Sequence, residues 1–248
     1  MKVCFKDIGK DLLNIFFPAN IKCILCSKEL NSNTLYCLCD SCMHSLPFNT
    51  GKTCLRCDEP ISSMTKYCIN CKHNVPYYKH NKSVFLYEGA IKHLIRSFKY
   101  DNKKYYTDTL SNLLVSEYVK LNKDFDIIIP VPLHPKRYKM RGFNQSELLC
   151  KSFKEKLHLN VDTKSLIKVV YTESQTTLNR TEREKNLNGS FEVADKKAIK
   201  GKSILLVDDV FTTGSTINEC ARVLLKAGAK EVWSLTLAHA YINKNHKD

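Results

Sequence analysis

Residues 204–216, ILLVDDVFTTGST, decide the fold. Ile204, Leu205, Leu206 and Val207 form an apolar run that predicts a strand buried on both faces, as in a parallel sheet. Asp208 and Asp209 fall at the predicted end of that strand, the edge where open α/β sheets bind ligands. Thr212, Thr213, Gly214, Ser215 and Thr216 then supply hydroxyls, consecutive backbone N–H groups and a glycine for a tight turn. Ile217, Cys220, Ala221, Leu224 and Leu225 recur at helical spacing, and Gly228 marks the predicted helix end. A helix N-terminus behind a donor-rich loop suits an anion such as phosphate. Adjacent carboxylates suit a vicinal diol, a divalent cation, or both. Strand ending and capping by Ser215 or Thr216 would be the plainer use of these residues. It leaves two acids followed by Thr-Thr-Gly-Ser-Thr unexplained, whereas a site for a phosphorylated sugar accounts for all of them.

The stretch resembles the signature of type I phosphoribosyltransferases, which bind 5-phosphoribosyl-1-diphosphate (PRPP). That resemblance implies catalytic-site roles for Asp208 and Asp209 on the ribose hydroxyls. It implies a 5-phosphate wrapped by residues 212–216, and Mg²⁺ accompanying the diphosphate. A Walker loop is excluded, because no Gly-Lys-Ser/Thr is present.

A chain of 248 residues with 43% hydrophobic and 10% aromatic content accommodates one globular domain and a small module. No apolar run approaches the length of a membrane span. The opening MKVCFKDIGKDLLNIFFP lacks a secretory pattern, since Asp7 and Asp11 interrupt it. Ile8, Leu12, Ile15 and Phe16 instead predict a docking helix within residues 1–19, stopped by Pro18. A cytoplasmic location is expected. Of the net charge of +14, residues 1–80 carry +4 and residues 81–248 carry +10. Thiolate ligands would offset the first part, so the basic field belongs to the second and favours polyanions.

Ten of the 12 cysteines precede residue 72, and eight form four CxxC pairs. Two such knuckles complete a tetrahedral four-sulfur site. Neighbouring pairs can meet across short hairpins, which assigns Cys23, Cys26, Cys39 and Cys42 to one structural Zn²⁺. Cys54, Cys57, Cys68 and Cys71 then hold a second. An interleaved pairing stays open at this stage, as does substitution by Cys37, His44 or His73. Disulfides are disfavoured without a secretion signal. Residues 20–75 hold few large apolar side chains, so metal must supply much of their folding energy. Cys4, Cys150 and Cys220 read as small buried hydrophobes.

Between the two ends, residues 84–87 predict a short strand. Ile91, Leu94, Ile95 and Phe98 give an amphipathic helix whose outer face is expected to carry Lys92, Arg96 and Lys99. A second helix follows with Leu110, Leu113, Leu114, Tyr118 and Leu121 on one face. Residues 126–131 are the next buried strand, leading into a connection with Lys136, Arg137, Lys139 and Arg141 and no acid. Asn144 caps the helix after it, with Glu147 three residues on. Type I phosphoribosyltransferases bind diphosphate with a loop in this order, which makes Arg137 and Arg141 the candidates for bidentate phosphate contacts. Residues 171–191 are polar and aperiodic where the related enzymes carry a closing loop, so Gln175, Arg180, Arg183 and Asn186 are candidates to fold over PRPP.

The paired CxxC motifs, LIRSFKY, PVPLHPKRYKMRGFNQSELL, SQTTLNRTEREKNLNGSF and LLVDDVFTTGST resemble, in order, the ComF (ComFC) family. The resemblance implies an α/β, type I phosphoribosyltransferase-like domain over residues 80–243. Its parallel sheet is flanked by helices and preceded by a double zinc ribbon over residues 20–75. It further implies a cytoplasmic role in natural transformation, handling incoming single-stranded DNA beside a ComFA-like translocase. Three functions follow: phosphoribosyl transfer from PRPP to an unidentified nucleobase-like acceptor, single-strand handling, or a PRPP-sensing adaptor. For the second, Lys92, Arg96, Lys99, Lys103 and Lys104 would track phosphates while Phe98, Tyr100, Tyr105 and Tyr106 stack on bases. A DNA-uptake factor with a live PRPP site is the preferred reading.

Overall fold

The computed structural model describes residues 22–30, 36–61, 64–100, 106–172 and 187–240. The chain divides into two compact units, one ending at Leu46 and the other beginning at Pro47. Outside the described residues lie the expected helix over residues 1–19, Cys4, Lys103, Lys104, Tyr105, Gln175, Arg180, Arg183 and Asn186.

Six strands are numbered along the chain: β1 Asn81–Leu86, β2 Ile127–Pro130, β3 Leu166–Lys168, β4 Phe191–Val193, β5 Ser203–Phe211 and β6 Glu231–His239. Four of them form a wholly parallel sheet in the order β1-β6-β5-β2. Parallel neighbours need crossover connections. Helices Gly89–Tyr100 and Thr107–Lys120 carry the chain from β1 to β2, and helix Ser215–Lys226 carries it from β5 to β6. The four residues of the opening apolar run are completely buried, because β5 is central and covered on both faces. Each such side chain contributes roughly 1.5–3 kcal/mol through burial.

One expectation about this strand needs correcting. β5 does not end at the aspartates but continues through them to Phe211, because β6 pairs with it as far as Phe211 opposite His239. On its other side, β2 stops at Pro130, opposite Val207. Past Val207, β6 is the neighbour of β5 among the described strands, and at this step in the sheet edge Ser146 stands beside Asp208. β3 and β4 form a separate antiparallel hairpin.

Each four-cysteine group sits on the same local design. Cys23 N–H donates to the Lys28 carbonyl and Ser27 N–H to the Cys23 carbonyl, with Ser27 at φ 61°. Thirty-one positions on, Cys54 N–H donates to the Glu59 carbonyl and Asp58 N–H to the Cys54 carbonyl, with Asp58 at φ 65°. The second CxxC of each group opens a short helix, Asp40–His44 after Cys39 and Ile69–His73 after Cys68. The second group is fastened to the sheet. Buried Asp58 accepts from Ser83 N–H at 2.8 Å, and Asn81 Nδ2 donates to the Cys57 carbonyl at 3.1 Å. No helix among the described residues is long and apolar enough to cross a membrane.

Candidate functional site

At the stepped edge of the sheet, Asp208 Oδ1 accepts from Ser146 Oγ and from the Asp209 backbone N–H, each at 2.9 Å. Burial, and next the Asp209 charge, push the Asp208 carboxyl up to about 7. Asp209 turns the other way and binds Lys99 Nζ at 2.7 Å through Oδ1. Burial works against the Lys99 ammonium, but the Asp209 carboxylate more than offsets it and holds its pKa above the ordinary lysine value. Lys99 is thus not on the outer helix face where it was expected. It follows Phe98 and lies four residues after Ile95, both completely buried, so it borders the apolar stripe and reaches inward. Asp209 Oδ2 is buried and has no hydrogen-bond partner among the described residues. An acceptor left so is costly unless a hydroxyl or a cation completes it.

The turn after β5 ends in Gly214, the N-cap of helix Ser215–Lys226, at φ 78°. Glycine is required here twice over. A side chain is strained at that φ, and a Cβ would stand 2.5 Å from the Phe211 ring. Neither Ser215 nor Thr216 caps this helix, contrary to expectation; its N-cap, Gly214, has no side chain, and Thr213 Oγ1 accepts from Ser215 N–H at 3.4 Å. The Ser215 hydroxyl is engaged with Thr213 Oγ1 at 2.7 Å instead. Open N–H groups and the positive end of the helix dipole therefore face outward at this turn. A pocket beside it is lined by Thr213, Gly214, Ser215 and Asn218 on one side and by Asn74, Val75, Pro76 and Tyr78 on the other.

The basic connection is a two-turn helix, Pro135–Arg141, where a loop was expected. His134 accepts from Lys136 N–H at its start, Pro135 supplies the fixed φ of the first turn, and Gly142 at φ 80° ends it. Arg137 and Arg141 are both partly buried. Arg137 Nη2 donates to the Thr172 carbonyl at 3.3 Å, and Arg141 donates to Gln145 Oε1. Lys168 Nζ meets the same Thr172 through its hydroxyl at 3.0 Å. Burial and then Arg137 push the Lys168 pKa down, and Asp208 is among the charges that oppose this. Two cations thus converge on one residue, Thr172. Asn144 caps the next helix through Ser146 N–H at 3.0 Å, which seats Ser146 against Asp208.

The sulfurs of Cys23, Cys26, Cys39 and Cys42 lie within 4.8 Å of one another, as do those of Cys54, Cys57, Cys68 and Cys71. Neighbouring pairs therefore share a group, and either group could hold a metal ion. Cys26 and Cys39 sulfurs are 3.6 Å apart, as are those of Cys57 and Cys68. Disulfide sulfurs sit at about 2.05 Å. Tetrahedral coordination with bonds of about 2.3 Å separates them by roughly 3.8 Å. Burial raises the Cys23 thiol pKa, but backbone N–H groups of Cys26, Cys39 and Leu25 outweigh it and bring the pKa to about 6. Cys54 is lowered by the Cys57 and Cys71 thiols that share its sulfur. One cysteine of each group is thus favoured as a thiolate, the form that binds metal, while Cys42, Cys57, Cys68 and Cys71 are raised. Cys150 and Cys220 are buried as expected.

Sequence reading missed Lys99, Ser146 and Lys168. Only Lys99 left a trace, at the edge of its helix's apolar stripe. Phe98 and Tyr106 are core residues, so they are not available to stack on bases as expected.

Residues 156–248 match a family described as "Phosphoribosyl transferase domain". The chain is 32% identical over 206 residues to the DNA utilization protein YhgH of Escherichia coli, spanning 80% of this chain and 89% of that protein. It is 30% identical over 237 residues to competence protein F of Haemophilus influenzae, spanning 92% and 100%. Competence protein ComFC of Streptococcus pneumoniae is 28% identical over 231 residues, spanning 88% and 99%. Such identity, carried across four fifths or more of each chain, places the protein in the ComF family of competence and DNA-utilization proteins.

Proposed function

We propose that this protein is a PRPP-binding DNA-uptake factor of the cytoplasm that handles single-stranded DNA. One observation carries the PRPP reading: a buried Asp209 carboxylate oxygen, without a partner among the described residues, lies five residues before a helix N-cap, Gly214, that has no side chain of its own. Asp208 and Asp209 then take the ribose hydroxyls. Backbone N–H groups and hydroxyls of Thr212, Thr213, Gly214, Ser215 and Thr216 take the 5-phosphate. Arg137 and Arg141 serve the diphosphate, and Lys168 joins them from the hairpin. Mg²⁺ carried on the diphosphate would neutralise its charge. Zinc is the metal assigned to both four-sulfur groups, since a closed set of four cysteines suits it.

Calorimetry with PRPP and Mg²⁺ tests this reading. Wild type is expected to bind one equivalent. Asp208→Ala with Asp209→Ala is expected to lose about 3 kcal/mol or more, roughly 100-fold in affinity, since each removes a charge-assisted hydrogen bond. No binding by the folded, metal-loaded wild type would refute it. Pyrophosphate release with a panel of bases and DNA separates a transferase from a sensor that signals to a translocase.

The DNA reading draws on the basic field of residues 81–248 and on exposed Lys92 and Arg96. Binding to a single strand is expected to weaken steeply with salt. Lys92→Ala and Arg96→Ala are each expected to reduce the slope of log K against log salt by about 1. An unaltered slope in the double variant would remove this face from the DNA path.

A further inference from the structure

The second cysteine group and the turn at Gly214 lie in the same compact unit, which begins at Pro47. Behind Gly214 stands Phe211, whose ring would be struck by any Cβ at that position. Phe211 in turn stacks on His239, with centroids 5.0 Å apart and planes at 28°. Tyr78 meets the Phe211 ring edge-on at 6.0 Å. His239 closes β6, is buried, and has no hydrogen-bond partner on either ring nitrogen among the described residues. Its ring lies near the Cys57 backbone, and its stacking partner Phe211 shares one buried cluster with Tyr78 and all four cysteines of the second group. A buried imidazole beside a four-sulfur group is placed to act as an outer support of that group. The segment leaving Cys71 returns to the same turn, where Tyr77 N–H donates to Asn218 Oδ1 at 2.7 Å and Asn74, Val75, Pro76 and Tyr78 wall the pocket.

We infer that the metal group of Cys54, Cys57, Cys68 and Cys71 is part of the foundation of the phosphate turn, with His239 and Phe211 as the positioning residues between them. The word phosphate here rests on the reading proposed above; the coupling itself does not. With metal bound, the knuckle holds His239, His239 fixes the Phe211 ring, and that ring sets how closely Gly214 can fold over it. Residues 74–78 close the turn from the opposite side. Metal loss would release both supports together, so the anion site would be sensitive to the metal state of the protein.

Amide hydrogen exchange on the full chain loaded with zinc and free of PRPP tests this. In His239→Ala, the first hydrogen-bonded amides of helix Ser215–Lys226, residues 218–221, are expected to exchange at least about 10-fold faster, as a local opening. Residues 204–207 should be unchanged and metal content should match wild type. His239→Phe, which keeps a ring against Phe211, is expected to restore most of the protection. Cys57→Ser should lose one equivalent of metal and show the same acceleration. Unchanged exchange at residues 218–221 in His239→Ala would overturn the inference. So would acceleration spread equally over residues 204–207, which would mark a general loss of packing. The measurement needs no ligand, so a failure of PRPP to bind would refute the functional reading alone.

Discussion

Removing metal from the group of Cys54, Cys57, Cys68 and Cys71 is expected to lower the melting temperature by about 10 °C or more. Binding of a structural zinc is worth roughly 10–16 kcal/mol in small modules. Retaining only about 5 kcal/mol of that in a unit of this size gives such a shift. Its cysteines are buried in one apolar cluster with Tyr78, Phe211, Ile217 and Leu224. Asp58 and Asn81 tie the same knuckle to β1. Freed sulfurs would leave buried thiols packed against one another where bonds to metal had been. Thermal melts with and without a chelator, read beside metal content, check this. Because the ligands must lose protons to bind, metal should also leave as pH falls. A melting temperature unmoved after complete loss of both metals would show that the ribbon folds on packing alone.

Lys99→Met is expected to destabilise the protein by about 3–5 kcal/mol, the usual cost of leaving one member of a buried ion pair alone. Asp209 is 5% exposed at its side chain and Lys99 is 19% exposed, so solvent can do little for the abandoned carboxylate. The pH dependence has a definite sign. The pair's contribution is complete below the ordinary lysine pKa and is lost as pH rises through the raised folded-state value. Asp208 acts in the same sense, over a lower pH range. Its folded pKa of about 7 exceeds the ordinary carboxylate value, so the folded state keeps a proton that the unfolded chain has released. Stability from this group therefore falls as pH rises from roughly 4 to 7. Lys99 is one of the charges that limit that rise. Without it the deficit should be larger at pH 8 than at pH 5, as denaturant titrations at both values would report. Equal deficits at the two values would show that Asp208 does not feel Lys99.

Much of this architecture was legible in one dimension because local rules dominate it. The run at residues 204–207 could only be a strand covered on both faces. Four CxxC pairs at near-even spacing could meet as two neighbouring groups, and the sulfurs are so arranged. Ile91, Leu94, Ile95 and Phe98 face the core as their period requires. The two-turn helix Pro135–Arg141 was within reach too, because Pro135 and Gly142 are its start and stop signals.

Long-range pairing was not legible. Asp209 and Lys99 are 110 positions apart, and no periodicity links a carboxylate in one strand to an amine at the rim of another helix's apolar stripe. Ser146 reaches Asp208, and His239 reaches Phe211 and the Cys57 knuckle, only because β1, β6, β5 and β2 assemble in that order. Sequence by itself determined which elements form and which chemistry they carry, since backbone propensity and hydrophobic period act over a few residues. Tertiary structure alone decided which charge neutralises which, and what stands behind the turn at Gly214. Those choices depend on burial, and burial is a property of the assembled sheet.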